Sequence, residues 1–384
     1  VSDSVQAATS DSINQTSIDR RWLGRAAALA LRGHGGAEPN PLVGCIILDV
    51  SGSPVGDGYH ARCGGPHAEV RAISAAGEQS RGGTMYVSLE PCSHHGRTPP
   101  CCDAIVKAGL SRVVFGCVDQ DADAAGGRQV LESHSLRVDH VQSSACDEVL
   151  GPFVWRQQTG LPWITVKWAQ SIDGRIATRS GHSQWISGPS SRALVHRERG
   201  RVDAILTGIG TVRHDDPQLT ARNVRKRRTA CRVVIDPRAE LPVDSAIVRT
   251  IGEAPVLIVH GPKADRDSLA MLHAKGVITH EGEMRGPRLS LKHALAALSK
   301  EHSIATMLVE AGPGLVGPLL EESLVNEVAV FIAPLLVGDP QATPPLSGRA
   351  PADISAATRL ELRSSHTRGG DVLLRYGVNP KSTG

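Results

Sequence analysis

Leu89-Glu-Pro-Cys-Ser-His-His-Gly-Arg-Thr-Pro-Pro-Cys-Cys102 closes the apolar run that begins at Thr84, and His67-Ala-Glu69 lies upstream of it. An apolar run ending in Pro-Cys reads as a strand that delivers Cys92 at its C-terminal end. Cys101 opens a helical pattern to Ala108, and His67 stands before another, from Ala68 to Ala76. One imidazole and two thiolates form a zinc-type donor set. Three such ligands leave a fourth position for water, whose pKa the metal lowers toward neutrality. Glu69, two residues from the histidine, is suited to move a proton without binding metal. The loop between Cys92 and Cys101 is longer than in a C-x-x-C motif, and His94 and His95 stay open as alternative ligands or as substrate contacts. Cys102 reads as a packed neighbour, because a further thiolate would close the site to water.

Around this stretch the pattern alternates. A helix is expected from Ile18 to Arg32, stopped by Gly33, Gly35 and Gly36. A hairpin follows from Val43-Gly-Cys-Ile-Ile-Leu48 through Ser51-Gly-Ser53 to Tyr59, and another strand at Arg112–Gly116. That order predicts a three-layer α/β domain over residues 18–150. Residues 1–17, rich in Ser, Gln, Thr and Asp, read as a disordered tail. The turn-rich stretch Gly151-Pro-Phe-Val-Trp-Arg-Gln-Gln-Thr-Gly-Leu-Pro162 is read as the junction to a second α/β domain over 160–380. Its expected strands are Trp163–Trp168, Ala204–Thr207, Arg232–Asp236, Val256–Val259, Ala305–Val309 and Val328–Ile332, with further strand candidates near Leu360–Arg363 and Val372–Tyr376. Helices are expected at Ser190–Arg199 and Leu291–Ser299.

Composition agrees with two domains: 384 residues exceed one ordinary core. The 42 basic and 39 acidic residues leave a net charge of +3, too small for a broad nucleic-acid face. No apolar run is long enough to span a bilayer and no signal-peptide pattern opens the chain, so a cytoplasmic protein is expected. Its eight cysteines are therefore read as thiols and metal ligands, with Cys45, Cys117 and Cys231 as small core residues.

The second half carries Lys167-Trp-Ala-Gln-Ser-Ile-Asp-Gly-Arg175, Ser183-Gln-Trp-Ile186, Leu206-Thr-Gly-Ile-Gly-Thr-Val212, Asp215-Asp-Pro217 and Val309-Glu-Ala-Gly-Pro-Gly-Leu315. Gly312-Pro-Gly-Leu-Val-Gly317 follows an apolar strand and opens a helix, a turn that brings backbone amides close to a phosphate. A standard dinucleotide unit would place an acid at the end of the next strand, which here runs out in Phe331-Ile-Ala-Pro334. A phosphate turn is expected, and a standard NAD unit is not.

H-x-E followed by P-C-x-x-C is the signature of zinc nucleobase deaminases, which this chain matches except for the longer stretch between its two cysteines. Asn40-Pro-Leu-Val-Gly-Cys45, His67-Ala-Glu69 and the extended Cys92–Cys101 loop closely resemble the deaminase half of the bifunctional riboflavin-biosynthesis deaminase/reductases. The segments from 163 to 376 resemble the reductase half of the same family. The resemblance implies a cytidine-deaminase-like α/β/α domain and a dihydrofolate-reductase-like α/β domain. It implies zinc on His67, Cys92 and Cys101, proton transfer by Glu69, and pyrimidine contact by Asn40. It implies NADPH contacts from Ala169, Trp185, Thr211, Asp215, Gly312, Pro313, Gly314, Leu315, Val316, Gly317 and Pro318. Substrate contacts are implied at Ser183, Arg199, Leu219, Arg222 and Glu310, with the two arginines suited to a ribose phosphate.

The implied reactions are hydrolytic deamination of 2,5-diamino-6-(5-phosphoribosylamino)pyrimidin-4(3H)-one, then reduction of the ribosyl group. Lys167 and Asp215 are candidates for proton handling in the second step. The implied partner is a small phosphorylated pyrimidine, not nucleic acid or membrane, and a homo-oligomer formed through the reductase domain is expected. Two departures stand out. Pro237 follows Asp236 where the family is expected to carry a small hydroxyl residue, and the basic run Arg225-Lys-Arg-Arg228 is read as a solvated loop. The competing reading is a zinc deaminase whose second domain binds nucleotide without catalysis.

Overall fold

The computed structural model describes residues 2–94, 99–120, 126–348 and 351–378, with side chains of the first helix described from Asn14. The chain divides into two compact units, Val1–Thr159 and Gly160–Gly384.

The first unit runs α1 (Ser2–Ala30), β1 (Gly44–Leu48), β2 (Pro54–Tyr59), α2 (Ala68–Ala76), β3 (Thr84–Leu89), α3 (Cys101–Lys107), β4 (Arg112–Cys117), α4 (Gly127–Ser133), β5 (Arg137–His140) and α5 (Ser144–Thr159). The sheet order is β2-β1-β3-β4-β5. β1 is antiparallel to both neighbours, while β3, β4 and β5 are parallel. Alternate side chains serve two cores. Cys45, Ile47, Met85, Val87, Val113 and Phe115 pack with α2 and α3, whereas Ile46, Leu48, Tyr86 and Val114 pack with α1 and α5. Burial on both faces is why these strands read as continuous apolar runs.

Two elements differ from the sequence reading. Helix α1 extends back through residues 2–17, which composition set aside as a tail. Its turn at Gln15–Asp19 is anchored in the fold. Asp19 is buried and accepts hydrogen bonds from Gln15 Nε2 (2.9 Å), Tyr86 Oη (2.8 Å) and both terminal nitrogens of Arg112 (3.0 and 2.8 Å). Burial opposes ionisation of Asp19, but these donors outweigh it and hold the carboxyl below its ordinary range. Residues 151–159, read as a junction, continue α5 instead, with Pro152 inside the helix. Burial of Val149 and Leu150, with Val154 packed on the core, carries the helix past a residue of poor helical propensity.

The second unit runs β6 (Trp163–Ser171), α6 (Pro189–Arg199), β7 (Ala204–Gly208), α7 (Ile209–Asp215), β8 (Cys231–Ile235), α8 (Ala246–Arg249), β9 (Val256–His260), α9 (Arg266–Ala274), β10 (Ile278–Glu281), β11 (Met284–Arg285), β12 (Arg288–Leu289), α10 (Leu291–Glu301), β13 (Thr306–Val309), α11 (Pro313–Glu321), β14 (Glu327–Ala333), β15 (Leu360–Arg368) and β16 (Asp371–Val378). Nine strands form one sheet in the order β10-β9-β8-β7-β13-β6-β14-β16-β15, and β11 with β12 forms a separate hairpin. β13 lies between β7 and β6, parallel to both, so the chain reverses its direction of travel across the sheet there. In such sheets the crevice for a ligand opens beyond the carboxyl ends of the strands at that point. The basic run is only partly a solvated loop: Arg228 is largely buried and pairs with Asp203, which also binds the Ala305 and Thr306 amides. Among the described residues, no helix is long and apolar enough to cross a membrane.

Candidate active sites

In the first unit, His67 immediately precedes α2, Cys92 follows β3 and Cys101 opens α3. Their ligand atoms all lie within 4.8 Å of one another. His67 Nδ1 is 3.2 Å from Cys101 Sγ and 3.6 Å from Cys92 Sγ. One imidazole and two thiols, converging from three elements with no further metal-binding side chain in the group, fit zinc with a position left open. Glu69 sits in the first turn of α2 and is 4% exposed. Burial pushes its carboxyl up, opposed by the neighbouring His67.

Asn40 Nδ2 approaches His60 Nε2 at 3.3 Å, and Asn40 Oδ1 accepts from Cys63 Sγ at 3.7 Å. His60 is buried, lies against the Pro66 carbonyl (3.2 Å), and meets the His67 ring edge-on at 5.3 Å. Burial, with the neighbouring His67, holds the His60 imidazole below its ordinary range. His60 thus links Asn40 to His67, a role sequence reasoning missed. The one available signal was a histidine at the end of a strand that packs on α2. Cys102 turns its Sγ toward the Pro91 and Gly127 carbonyls (3.8 and 3.6 Å) and stays outside the three-residue group. His94 is exposed and also outside it; His95 lies outside the described residues.

The second unit holds a cavity of about 1070 Å³ at the carboxyl ends of its central strands, at the upper end of the roughly 300–1,000 Å³ usual for ligand pockets. Gly312, Pro313, Gly314, Leu315 and Pro318 line it where α11 begins and runs, with Ala169, Thr211 and Asp215 nearby on the wall. Thr211 Oγ1 accepts from the Gly312 amide at 3.2 Å, and Ser183 Oγ donates to Asp215 at 3.4 Å. Glycines at the mouth of a helix, beside a hydroxyl, fit the phosphates of a nicotinamide dinucleotide. Val316 is buried in the core, and a Cβ at Gly317 would fall 1.7 Å from the Ser347 carbonyl, so these two serve packing, away from the wall.

Leu219, Arg199 and Glu310 also line the cavity. Glu310 accepts from Arg199 Nε and Nη2 (2.5 and 2.9 Å) and pairs with Lys167 Nζ at 3.7 Å. Burial favours the neutral carboxyl, but Arg199 and Lys167 prevail and hold Glu310 down to about 2. Burial lowers the Lys167 pKa despite Glu310. Arg222 and Trp185 are outside the cavity wall. Arg222 donates to Gln218 Oε1 (2.7 Å), and the exposed Trp185 ring stacks under Arg192 at 4.7 Å. Pro237 lines the wall, while the Asp236 carboxylate turns inward to the Leu241 amide at 2.8 Å.

Comparison with known proteins follows the same division. A family model described as the RibD C-terminal domain matches residues 162–374, more than half the chain. The chain belongs to the RibD family. A model of the cytidine and deoxycytidylate deaminase zinc-binding region matches residues 16–117. The chain is 37% identical over 366 residues to the riboflavin biosynthesis protein RibD of Actinobacillus pleuropneumoniae, covering 95% of this chain and 96% of that one. Among solved structures it is similar to Acinetobacter baumannii RibD, with TM-score 0.80, 34% identity and coverage of 95% and 99%. It is also similar to a Thermotoga maritima diaminohydroxyphosphoribosylaminopyrimidine deaminase/5-amino-6-(5-phosphoribosylamino)uracil reductase, with TM-score 0.80, 28% identity and coverage of 95% and 100%. As a RibD-family enzyme the protein is a bifunctional deaminase and reductase of riboflavin biosynthesis, and its cofactors are Zn²⁺ and NADPH.

Proposed function

We propose that the first unit converts 2,5-diamino-6-(5-phosphoribosylamino)pyrimidin-4(3H)-one and water into the corresponding uracil and ammonia. The second unit then reduces its ribosyl group, giving 5-amino-6-(5-phosphoribitylamino)uracil. The related Thermotoga protein is named for these two activities. The observation that carries the reading is the convergence of His67, Cys92 and Cys101 within 4.8 Å, with the buried Glu69 two residues beyond His67.

His67, Cys92 and Cys101 hold the metal. Zinc, when bound, supplies a Lewis acid that activates water at neutral pH. Glu69 takes a proton from the attacking water and returns one to the departing amine, so ammonia leaves as the ring C–N bond breaks. Asn40, braced by His60, orients the pyrimidine.

In the second unit the turn at Gly312 and the Thr211 hydroxyl receive the cofactor phosphates, and Ala169 and Asp215 on the same wall complete its contacts. NADPH, when bound, supplies the hydride for C1 of the opened ribosyl group. Glu310, clamped by Arg199, and Leu219 shape the substrate end with Ser183. Arg222, three residues beyond the cavity-lining Leu219, supplies the guanidinium for the ribose phosphate, while Arg199 stays on Glu310. Lys167 and Asp215, both on the cavity wall, are the candidates for moving the accompanying proton.

Copies of the chain associate through the second unit, a reading supported by the exposed Leu360 and Leu362 on the outer strand of its sheet. Eight free cysteines and the nicotinamide requirement suit the cytoplasm. Glu69→Gln tests the core of this proposal. Zinc content by elemental analysis is expected to stay at one per chain while ammonia release collapses by at least about a hundredfold. Unimpaired deamination in that variant would remove Glu69 from the chemistry.

A further inference from the structure

We propose that Arg285 and Arg288, on the β11–β12 hairpin, bind the 2′-phosphate of the cofactor and set the preference for NADPH over NADH. This rests on the reading of the second unit's cavity as the nicotinamide site. Both arginines line that cavity with Pro237 at the end of β8, as does the Gly312 turn. The cavity wall follows α11 from Pro313 to Glu321 and Glu322. That helix has nine residues, so it spans roughly 13 Å. Two phosphate positions are therefore separable along one wall. The diphosphate falls to the backbone amides at Gly312, and a second phosphate to the hairpin.

The other basic side chains on the wall are committed or unsuited. Arg199 and Lys167 are spent on Glu310 at the substrate end, and His214 faces the Gly181 carbonyl at 3.0 Å. Arg288 has no side-chain partner among the described residues. Arg285 is 77% exposed and reaches Glu322 only at 4.0 Å, the outer limit of an ion pair. Two exposed guanidinium groups on one small hairpin, turned by Gly286-Pro287, form a fork that matches a phosphate monoester carrying nearly two negative charges.

The acid that holds the ribose 2′-hydroxyl in a standard dinucleotide unit is missing from its expected place. An acid at the end of the strand after a glycine turn would hold the ribose 2′-hydroxyl. Here that strand, β14, ends at Ala333 and continues into Pro334. Pro237 offers neither a hydroxyl nor an amide proton, so at the end of β8 it cannot donate to a phosphate. Of the four acids on the wall, Asp215 and Glu310 lie elsewhere in the chain, and Glu321 and Glu322 stand at the end of α11. Glu322 faces Arg285 and is the group that would take ribose hydroxyls were NADH preferred.

The test is calorimetric binding to the zinc-loaded full chain, without turnover, using NADPH, NADH and 2′,5′-ADP. Wild type is expected to bind NADPH more tightly than NADH. Arg288→Ala, and more so Arg285→Ala with Arg288→Ala, is expected to weaken NADPH and 2′,5′-ADP by roughly 10- to 100-fold, the range for charge-assisted hydrogen bonds. NADH affinity is expected to hold, which also reports that the cavity is intact. An unchanged NADPH-to-NADH ratio in the double variant, an equal loss of both, or a wild type that prefers NADH each overturns the assignment. A wild type that binds neither nicotinamide overturns the underlying reading of the cavity.

Discussion

Glu310 is the most strongly perturbed carboxylate on the second unit's cavity wall. Its two oxygens are taken by the Arg199 fork, with Lys167 alongside, and its pKa is held down to about 2. An unfolded glutamate titrates near 4.3. A folded pKa below the unfolded one means that this carboxylate stabilises the native state above about pH 4.3, and that the contribution fades as pH falls toward 2. Glu310→Gln is expected to flatten that acid-side slope in denaturant melts of the second unit. At neutral pH it should cost about 3–5 kcal/mol, because Arg199 is left buried without its counter-charge. An unaltered slope between pH 2 and 4.3 would show that Glu310 is not ionised by the clamp. At this scale the zinc-type donor set was legible because few residue types can do its chemistry and the motif spacing is distinctive. His60 was not, because a buried histidine that braces an asparagine carries no local pattern. The Glu310 clamp joins residues 111 positions apart, beyond any motif.

Strand β2 and helix α2 show how an element sets a site. A Cβ at Gly58 would stand 2.4 Å from the Ala68 carbonyl oxygen and 2.6 Å from the Ala72 amide nitrogen, backbone that cannot yield. The glycine lets α2 lie directly on the strand, and the start of α2 holds His67 and Glu69. Gly58→Ala is therefore expected to push the helix outward, destabilising the first unit by about 1–3 kcal/mol and lowering zinc occupancy. Elemental analysis and ammonia release would fall together while NADPH binding by the second unit is kept. Full zinc loading in the variant would refute this coupling. The strands that sequence revealed, such as β1, β3, β8 and β9, are buried runs bounded by turn residues. The elements it missed lack such a signal. β11 and β12 have two residues each, too few to show a period, and α5 contains a proline that only tertiary packing tolerates.

On the scale of the whole chain, a net charge of +3 distributes as local clamps, with Arg199 and Lys167 at Glu310 and two exposed arginines on the hairpin, so a small phosphorylated ligand needs no broad basic face. The second unit's sheet nevertheless has one conspicuous edge. β15 is its outer strand and pairs with β16 alone. Leu360 and Leu362 are 42% and 56% exposed, and Val372 on the adjoining strand is 37% exposed. An outer strand presents unpaired backbone donors and acceptors, and isolated proteins normally blunt such edges with charge, bulges or cover. Here the strand carries Glu361, Arg363 and Arg368 and a register shift between Leu362 and Ser364, yet keeps Leu360 and Leu362 exposed beside those charges, a mixed edge suited to a second copy of the same chain. Light scattering is expected to give at least a dimer for wild type, and Leu360→Lys with Leu362→Lys is expected to shift the mass to the monomer. Both residues lie away from the zinc ligands in sequence and in the other compact unit, so ammonia release should persist in the variant. A monomeric wild type, or an unchanged mass in the double variant, would rule out this edge as the contact.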